Sequence, residues 1–113
     1  MCTKNQLDII TSTVARKAKK ILNEKLVSVI LYGSYARGDF DTESDIDIMI
    51  IADIPCEECW NYNVQLINEI AEFELQNDIV ISTHIVQADI FNQYRTTLPF
   101  YRNVTKEGIK IAV

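Results

Sequence analysis

One segment, residues 45–52, constrains the fold more than any other part of the chain. It reads DIDIMIIA, with two acidic residues spaced two apart and then a continuous apolar run. Isoleucine dominates the run, and β-branched residues of this kind are enriched in strands. We therefore predict a β-strand that begins with charged side chains and continues into the core rather than into water.

The two carboxylates of this strand, Asp45 and Asp47, should lie on the same face. Alternate residues of a strand point the same way, which places them roughly 6–7 Å apart along the strand. Like charges at close range raise each other's pKa and destabilise the fold unless a cation lies between them. A divalent metal ion is the simplest solution, and the pair is the first candidate site.

The rest of the chain alternates between helical and strand periodicity. We predict strands at 27–32, 45–52 and 78–86 and helices at 6–24, from 55 onward, at 88–94 and at 98–107, where Gly108 would end the last helix. The buried stripe of the helix after Pro55 is predicted to consist of Trp60, Val64, Ile67, Ile70 and Ala71. This order predicts a mixed α/β sandwich in which helices cover one face of a small sheet.

Composition excludes several classes of protein. A chain of 113 residues with 48% apolar residues fits a single domain, residues 1–113, with a real core. It has no apolar stretch long enough to span a membrane and no signal-peptide pattern, so we expect a cytoplasmic protein. The net charge of −5 makes nucleic-acid binding an unfavourable interpretation, because such binding depends on Lys and Arg neutralising phosphates.

The cysteines and the single histidine favour structural interpretations. Cys2, Cys56 and Cys59 are too few for a disulfide framework. Cys56 and Cys59 have the spacing of a metal or redox motif, but two glutamates between the thiols oppose a lowered pKa, and no second cysteine pair is present. His84 on a strand is interpreted as a partly buried polar residue.

Gly33 and Ser34 follow the first predicted strand. Ser34 is a natural N-cap for a helical turn that begins at Tyr35. A helix N-terminus preceded by glycine offers unpaired N–H groups and a positive dipole end, which suit a phosphate. A phosphate site that faces a pair of metal-binding carboxylates points to phosphoryl or nucleotidyl transfer.

The two motifs together resemble the signature of the minimal nucleotidyltransferases, the smallest members of the DNA polymerase β-like nucleotidyltransferase superfamily. The matching segments are LYGSYARG at 31–38 and SDIDI at 44–48, with ten residues between Ser34 and Asp45. The strong resemblance covers residues 31–48, and the element order and length extend it loosely to the whole chain. It implies an α/β (α+β) fold with a small mixed β-sheet covered by helices, as in the polymerase β-like palm.

The resemblance also implies roles for individual residues. Asp45 and Asp47 would bind two Mg²⁺ ions, and Gly33 and Ser34 would hold the triphosphate of ATP. In the family a third carboxylate on a later strand completes the site, and Asp78 is the candidate for this catalytic and metal-binding position.

Two of these assignments have open alternatives. The third acid of the family could align at Val80 instead of Asp78, in which case the chain lacks it. Arg37 could hold phosphate, as an arginine fork can, or could form a surface salt bridge with Asp39 or Asp41.

The resemblance finally implies a partner and a reaction. Minimal nucleotidyltransferases are often encoded beside a small all-helical HEPN protein, and some are antitoxins that attach AMP to that partner. We therefore expect metal-dependent transfer of a nucleoside monophosphate, AMP from ATP, to a hydroxyl of a HEPN-type partner. The alternatives are a non-catalytic antitoxin that covers its partner, and transfer to a small molecule such as an aminoglycoside-like acceptor. An oligomer is also compatible with a small domain that has an exposed edge or helix face.

Overall fold

The computed structural model describes residues 4–39 and 45–112. Its helices are α1 (Lys4–Leu22), α2 (Ser34–Arg37), α3 (Cys56–Asn77), α4 (Ala88–Tyr94) and α5 (Pro99–Glu107), and a 3₁₀ turn, Asn23–Lys25, follows α1. Its strands are β1 (Leu26–Tyr32), β2 (Ile46–Ala52), β3 (Ile81–Gln87) and β4 (Ile109–Ile111). In the described part of the chain, no helix is long and apolar enough to span a membrane.

The strands form one mixed sheet in the order β3-β2-β1-β4. β1 is antiparallel to both β2 and β4, whereas β2 and β3 are parallel. The register pairs Tyr32 of β1 with Asp47 of β2, and Asp47 with Ser82 of β3. The predicted small mixed sheet is confirmed, and β4 is an addition that the sequence interpretation did not include.

Both faces of the sheet are covered by helices, so the prediction of one covered face is wrong. Ile48 and Ile50 of β2 pack in a core cluster with side chains of α1 and α3. Met49 and Ile51 point the other way and pack with Phe91 of α4 and Val104 of α5. The parallel connection from β2 to β3 places α3 on one face, and the chain after β3 covers the other face. An almost unbroken apolar run in β2 is the consequence of burial on both sides.

The buried row of α3 differs from the predicted one. Trp60 is 68% exposed, and Val64, Ile67 and Ala71 are exposed as well. Only Ile70 of the five predicted residues is buried, together with Leu66 and Asn63. The helix carries two apolar rows. The row that faces the core contains the polar Asn63, so sequence periodicity favours the other row as the buried one.

Side chains of α3 cap the free edge of β3. The carbonyl of Val80 accepts a hydrogen bond from the Ile46 amide, so the alternate residues of β3 direct their backbone groups away from β2. The Ile81 amide donates to Glu74 Oε2 at 2.9 Å, and the Thr83 carbonyl accepts from Asn63 Nδ2 at 3.2 Å. Thr83 Oγ1 also donates to Asn63 Oδ1 at 2.9 Å. The helix thereby satisfies backbone groups that would otherwise be open to another strand.

Candidate active site

Gly33 directly follows β1 and has a conformation that other residues rarely adopt. Its φ is +75° and its ψ is −155°, a region that is nearly restricted to glycine. A Cβ atom on Gly33 would collide with the carboxylate of Asp47. The glycine therefore satisfies two requirements at once, the turn after β1 and the close approach of the backbone to an acidic side chain.

The short helix α2 begins at Ser34, one residue earlier than predicted. Gly33 is the N-cap and Ser34 is the first helical residue, so the prediction of Ser34 as N-cap is wrong. The Gly33 carbonyl accepts hydrogen bonds from the Ala36 and Arg37 amides, each at 3.1 Å. Gly33 takes the cap position because its positive φ lets the chain reverse directly after β1.

Asp45 and Asp47 lie at the start of β2, as predicted. Asp45 is exposed and directly precedes the strand, and Asp47 is its second residue and is partly buried. Burial raises the pKa of the Asp47 carboxyl, and the negative charge of Asp45 raises it further. His84 and Arg37 lower the same pKa, which offsets part of this effect. The two carboxylates therefore interact electrostatically, as their spacing predicted.

Tyr32 is the β1 neighbour of Asp47 in the strand register. Its ring packs edge-to-face on Phe100 with the centroids 5.7 Å apart. Burial, followed by the charge of Asp47, raises the pKa of the Tyr32 hydroxyl to about 12. Tyr32 thus lies beside Asp47 with a hydroxyl group that stays neutral throughout the physiological pH range.

His84 was interpreted from the sequence as a partly buried polar residue, and the structure shows it to be exposed. Asp47 pairs with Ser82 in the parallel register, and His84 follows Ser82 by two residues on the same face. Its effect on the Asp47 pKa agrees with this placement. Alternation with Ser82 along the strand is the pattern that could have identified His84 as a residue of this site.

Asp78 lies outside the third strand. It is the C-cap of α3 with φ +51°, and β3 begins three residues later, so the prediction that Asp78 opens this strand is wrong. Since Ile46 pairs with Ile81, the position next to Asp45 belongs to Val80, which is 59% exposed. No group of three His, Cys, Asp or Glu residues in 4–39 and 45–112 is arranged to hold a metal ion. The role of Asp78 as third ligand therefore stays a prediction, and the geometry favours the alternative at Val80.

Arg37 takes part in the ion pairs that its surface interpretation implies. Its Nε lies 3.1 Å from Asp39 Oδ2 and its Nη1 lies 3.5 Å from Glu107 Oε2. The hydrogen bond and the charge of Asp39, followed by the contact with Glu107, raise the pKa of Arg37. Because Arg37 also acts on the Asp47 carboxyl, the guanidinium lies between surface acids and the candidate site. The alternative partner, Asp41, lies outside the described residues.

The surroundings of Cys59 in α3 do not favour a reactive thiol. Burial raises the pKa of the Cys59 thiol, and the neighbouring Cys56 raises it further. Cys56 Sγ donates to Gln87 Oε1 at 3.1 Å. A raised pKa is the opposite of what a reactive thiol needs. Cys2 lies outside the described residues.

Carboxylate oxygens are the ligands that Mg²⁺ prefers. The carboxylates of Asp45 and Asp47 interact at the start of β2. The absence of a side chain at Gly33 keeps the backbone of the turn close to Asp47. The donor chemistry of Asp45 and Asp47 therefore suits Mg²⁺, and the glycine turn lies directly against one of these acids.

The sequence matches a known protein family and named relatives. The model of the nucleotidyltransferase domain family matches residues 15–111. A "putative protein adenylyltransferase" of Methanocaldococcus jannaschii is 36% identical over 84 residues, which cover 74% of this chain and 76% of that protein. A second protein of the same name and organism is 41% identical over 71 residues, which cover 62% of this chain and 69% of that protein.

Solved structures share the fold at low sequence identity. A toxin–antitoxin complex with AMP-PNP contains a chain with a TM-score of 0.56 at 20% identity, covering 88% of this chain and 71% of that one. A complex of tri-AMPylated Shewanella oneidensis HEPN toxin with MNT antitoxin matches with a TM-score of 0.53 at 17% identity, covering 93% of this chain and 71% of that one. From the family match, the motif and the site geometry, we conclude that this chain belongs to the nucleotidyltransferase domain family.

Proposed function

We propose that this nucleotidyltransferase transfers AMP from ATP to a hydroxyl of a HEPN-type partner protein and acts as its antitoxin. The observation that carries the proposal is the approach of Gly33 to Asp47, which joins the phosphate side of the site to the metal side. Relatives named protein adenylyltransferase support AMP as the transferred group. Structural neighbours crystallised as toxin–antitoxin complexes support a HEPN-type partner.

The proposal gives each site residue a task. Asp45 and Asp47 hold Mg²⁺, which when bound neutralises the polyphosphate and polarises its oxygens. Gly33 and Ser34 would lie against the phosphates, and the missing side chain of the glycine leaves Asp47 in its place beside the turn. Arg37 supplies a positive charge at the edge of the site while its ion pairs with Asp39 and Glu107 orient it.

The proposed transfer requires no oxidant or reductant. The acceptor hydroxyl oxygen attacks the α-phosphorus of ATP, and a new phosphodiester bond forms. The bond from the α-phosphorus to the oxygen that bridges to the β-phosphorus breaks, and pyrophosphate leaves. The hydroxyl proton passes to solvent. Positioning and charge neutralisation are the main requirements of such a transfer, and the described site offers groups for both.

The proposal is tested by incubating the protein with α-labelled ATP, Mg²⁺ and the product of the neighbouring gene. We expect label on the partner with the wild type and none with Asp45→Asn or Asp47→Asn. Asp8→Asn, which neutralises an exposed acid of α1, is the matched control and should label the partner as the wild type does.

Three results would contradict the proposal. Label that persists in both Asp45→Asn and Asp47→Asn would refute the assignment of these residues to the metal. A partner that co-purifies without ever acquiring label would make the chain a non-catalytic antitoxin. Label that appears on an added aminoglycoside and not on the partner would assign a small-molecule acceptor.

A further inference from the structure

A second apolar row runs along the exposed side of α3. Its members are spaced by three or four residues, which places them in one line on a helix: Trp60, Val64, Ile67, Ala71 and Leu75. We call this row the α3 stripe. From Trp60 to Leu75 it extends over fifteen residue steps, or roughly 22 Å. Trp60 is 68% exposed and Leu75 is 84% exposed.

The α3 stripe is separate from the face that α3 buries. The buried face consists of Asn63, Leu66 and Ile70, and it lies about a third of a turn away around the helix. Single exposed apolar residues are common, but an aligned row that includes a tryptophan is the pattern of an interaction surface. Burial of these side chains in a complex would remove a large apolar area from water.

An added β-strand is not the expected occupant of this side of the molecule. Glu74 and Asn63 already bond to the outward backbone groups of Ile81 and Thr83 on the free edge of β3. An extended chain could pair there only after breaking these hydrogen bonds. A straight apolar row instead matches the apolar face of another helix.

The negative charge of α3 favours a docked helix that carries basic residues. The element contains five glutamates and neither lysine nor arginine. By helical spacing Glu57 lies in line with the N-terminal end of the α3 stripe, and Glu72 lies beside its C-terminal part. If two copies of the chain paired through their α3 stripes, these acids would be brought together in an interface that excludes water, which is unfavourable. A partner with basic residues beside its apolar row would be attracted instead.

We propose that the α3 stripe is a docking surface for an amphipathic helix of another protein that carries Lys and Arg beside its apolar face. Trp60, Ile67 and Leu75 are the apolar anchors, and Glu57 and Glu72 pair with the basic flank. Binding through this surface requires neither ATP nor metal.

The α3 stripe ends near the candidate active site. Leu75 and Val80 line one open groove together with Ala71 and Asp78. The Val80 carbonyl accepts from the Ile46 amide, directly beside Asp45. A docked helix would therefore end close to the carboxylates, and a hydroxyl just beyond it would be within reach of nucleotide transfer. This last step, unlike the docking itself, rests on the proposed function.

The test uses a fluorescent 18-residue peptide with leucines along one helical face and Lys and Arg on both flanks. A matched peptide carries Glu in place of the basic residues. Anisotropy is measured without ATP or Mg²⁺, so that a failure of nucleotide transfer leaves the result unaffected. We expect the basic peptide to bind the wild type at least about ten-fold more tightly than the acidic peptide.

Matched variants assign the binding to the α3 stripe. Val64→Asn/Ile67→Asn keeps the net charge and should weaken binding of the basic peptide about ten-fold, whereas Ile9→Asn, at an exposed apolar residue of α1, should not. Glu57→Gln/Glu72→Gln should weaken it at least about three-fold, and Glu24→Gln/Asp8→Gln should have a smaller effect. Thermal unfolding verifies that each variant is folded, and Trp60→Ser replaces the double variant if that protein does not fold.

Three outcomes would overturn the proposal. They are equal binding of the two peptides, equal binding by the wild type and the Val64→Asn/Ile67→Asn variant, and equal weakening by the two sets of charge variants. Sedimentation experiments could also show that the wild type is a dimer and that the Val64→Asn/Ile67→Asn variant is a monomer. This result would assign the α3 stripe to a second copy of the chain and would refute the proposal.

Discussion

The backbone of Gly33 lies so close to the carboxylate of Asp47 that a single added methyl group would collide with it. The two residues belong to neighbouring antiparallel strands, and the register pairs Asp47 with Tyr32, the residue directly before the glycine. The strand pairing of the sheet thus sets the distance between the turn and the acid.

Gly33→Ala should abolish nucleotide transfer. The new Cβ atom would displace Asp47, and the positive φ would add strain on the order of 1–3 kcal/mol. Gly38→Ala is the matched control, because Gly38 also has a positive φ but has open space around its Cα. It should lose stability and retain transfer, as measured by thermal unfolding and labelled ATP. Equal activity of the two variants would refute the role of the contact.

Asp47→Asn should stabilise the protein at neutral pH in the absence of metal. Folding raises the pKa of Asp47 above 3.8, so its protonated form is favoured in the folded state. The stability associated with this proton is present below the unfolded-state pKa and is lost as the pH rises through the folded-state pKa. The ionised carboxylate therefore costs stability above that window, and the amide removes this cost.

The measurement is the thermal unfolding midpoint of wild type and Asp47→Asn across pH. The variant should be the more stable protein near pH 7, and the difference should vanish at about pH 3. Added Mg²⁺ should raise the midpoint of the wild type alone, because a ligand that binds only the folded state stabilises it. A variant that is less stable than the wild type at neutral pH without metal would contradict this interpretation of Asp47.

Asp78→Asn should leave Mg²⁺ binding nearly unchanged, whereas Asp45→Asn should abolish it. The reason is the register, which places Val80 and not Asp78 beside Asp45. Val80→Asp should strengthen Mg²⁺-dependent stabilisation by adding a carboxylate at the exposed position. Thermal shifts against Mg²⁺ concentration test all three variants. A loss in Asp78→Asn as large as in Asp45→Asn would establish Asp78 as the third ligand.

Arg37→Ala should raise the KM for ATP roughly ten-fold and change kcat little, because it removes the positive charge that we propose for phosphate binding. The free energy of unfolding should change little, since both ion pairs of Arg37 are at the surface. Arg37→Lys should restore only part of the affinity, because lysine lacks the planar fork. Arg95→Ala, at an exposed arginine after α4, is the control. An unchanged KM in Arg37→Ala would refute the phosphate role and would limit Arg37 to its surface salt bridges.

Asn63→Ala should cost about 2–3 kcal/mol in the free energy of unfolding, because it leaves the buried Thr83 hydroxyl and carbonyl without their partners. Asn68→Ala, at an exposed position of the same helix, should cost less than about 0.5 kcal/mol. Urea unfolding provides both values. The two substitutions Asn63→Ala and Thr83→Ala should be non-additive, and additivity would show that the pair does not act as a unit.

The parts of the fold with one clear periodicity could be predicted from the sequence. The helix at 88–94 has the predicted bounds, and α1 and β2 differ from their predictions by one or two residues. α1 has a single apolar face, and β2 changes from acidic to apolar residues along its length. Each pattern is compatible with only one type of secondary structure. The nucleotidyltransferase fold and the mixed sheet are confirmed for the same reason.

The parts that were wrong depend on contacts between distant residues. α3 has two apolar rows, and the choice between them is made by the hydrogen bonds of Asn63 to Thr83, which periodicity does not contain. β4 is three residues long and exists because Ile109 and Ile111 pair with β1. The β-branched residues after Asp78 predict a strand that begins there, but α3 continues to Asn77 and ends with Asp78 in a left-handed conformation.

The same limit applies to the candidate site. Asp45, Asp47 and Gly33 could be identified from a local motif, and the antiparallel pairing of the two strands that carry the motif brings them together. His84 was not among them, because its position near Asp47 depends on the parallel register of β2 and β3, which are separated in the chain by a 22-residue helix.

The hydrogen bonds of Glu74 and Asn63 to the edge of β3 also bear on how this chain behaves at high concentration. An open strand edge is where partly folded molecules stack into fibrils, and proteins often block it with charge, proline or a covering element. Here the block is built from side chains of the helix that precedes the strand, so it forms only once that helix has packed. Variants that loosen α3 should therefore aggregate before they lose the sheet, and solubility would report on the packing of this helix earlier than loss of activity.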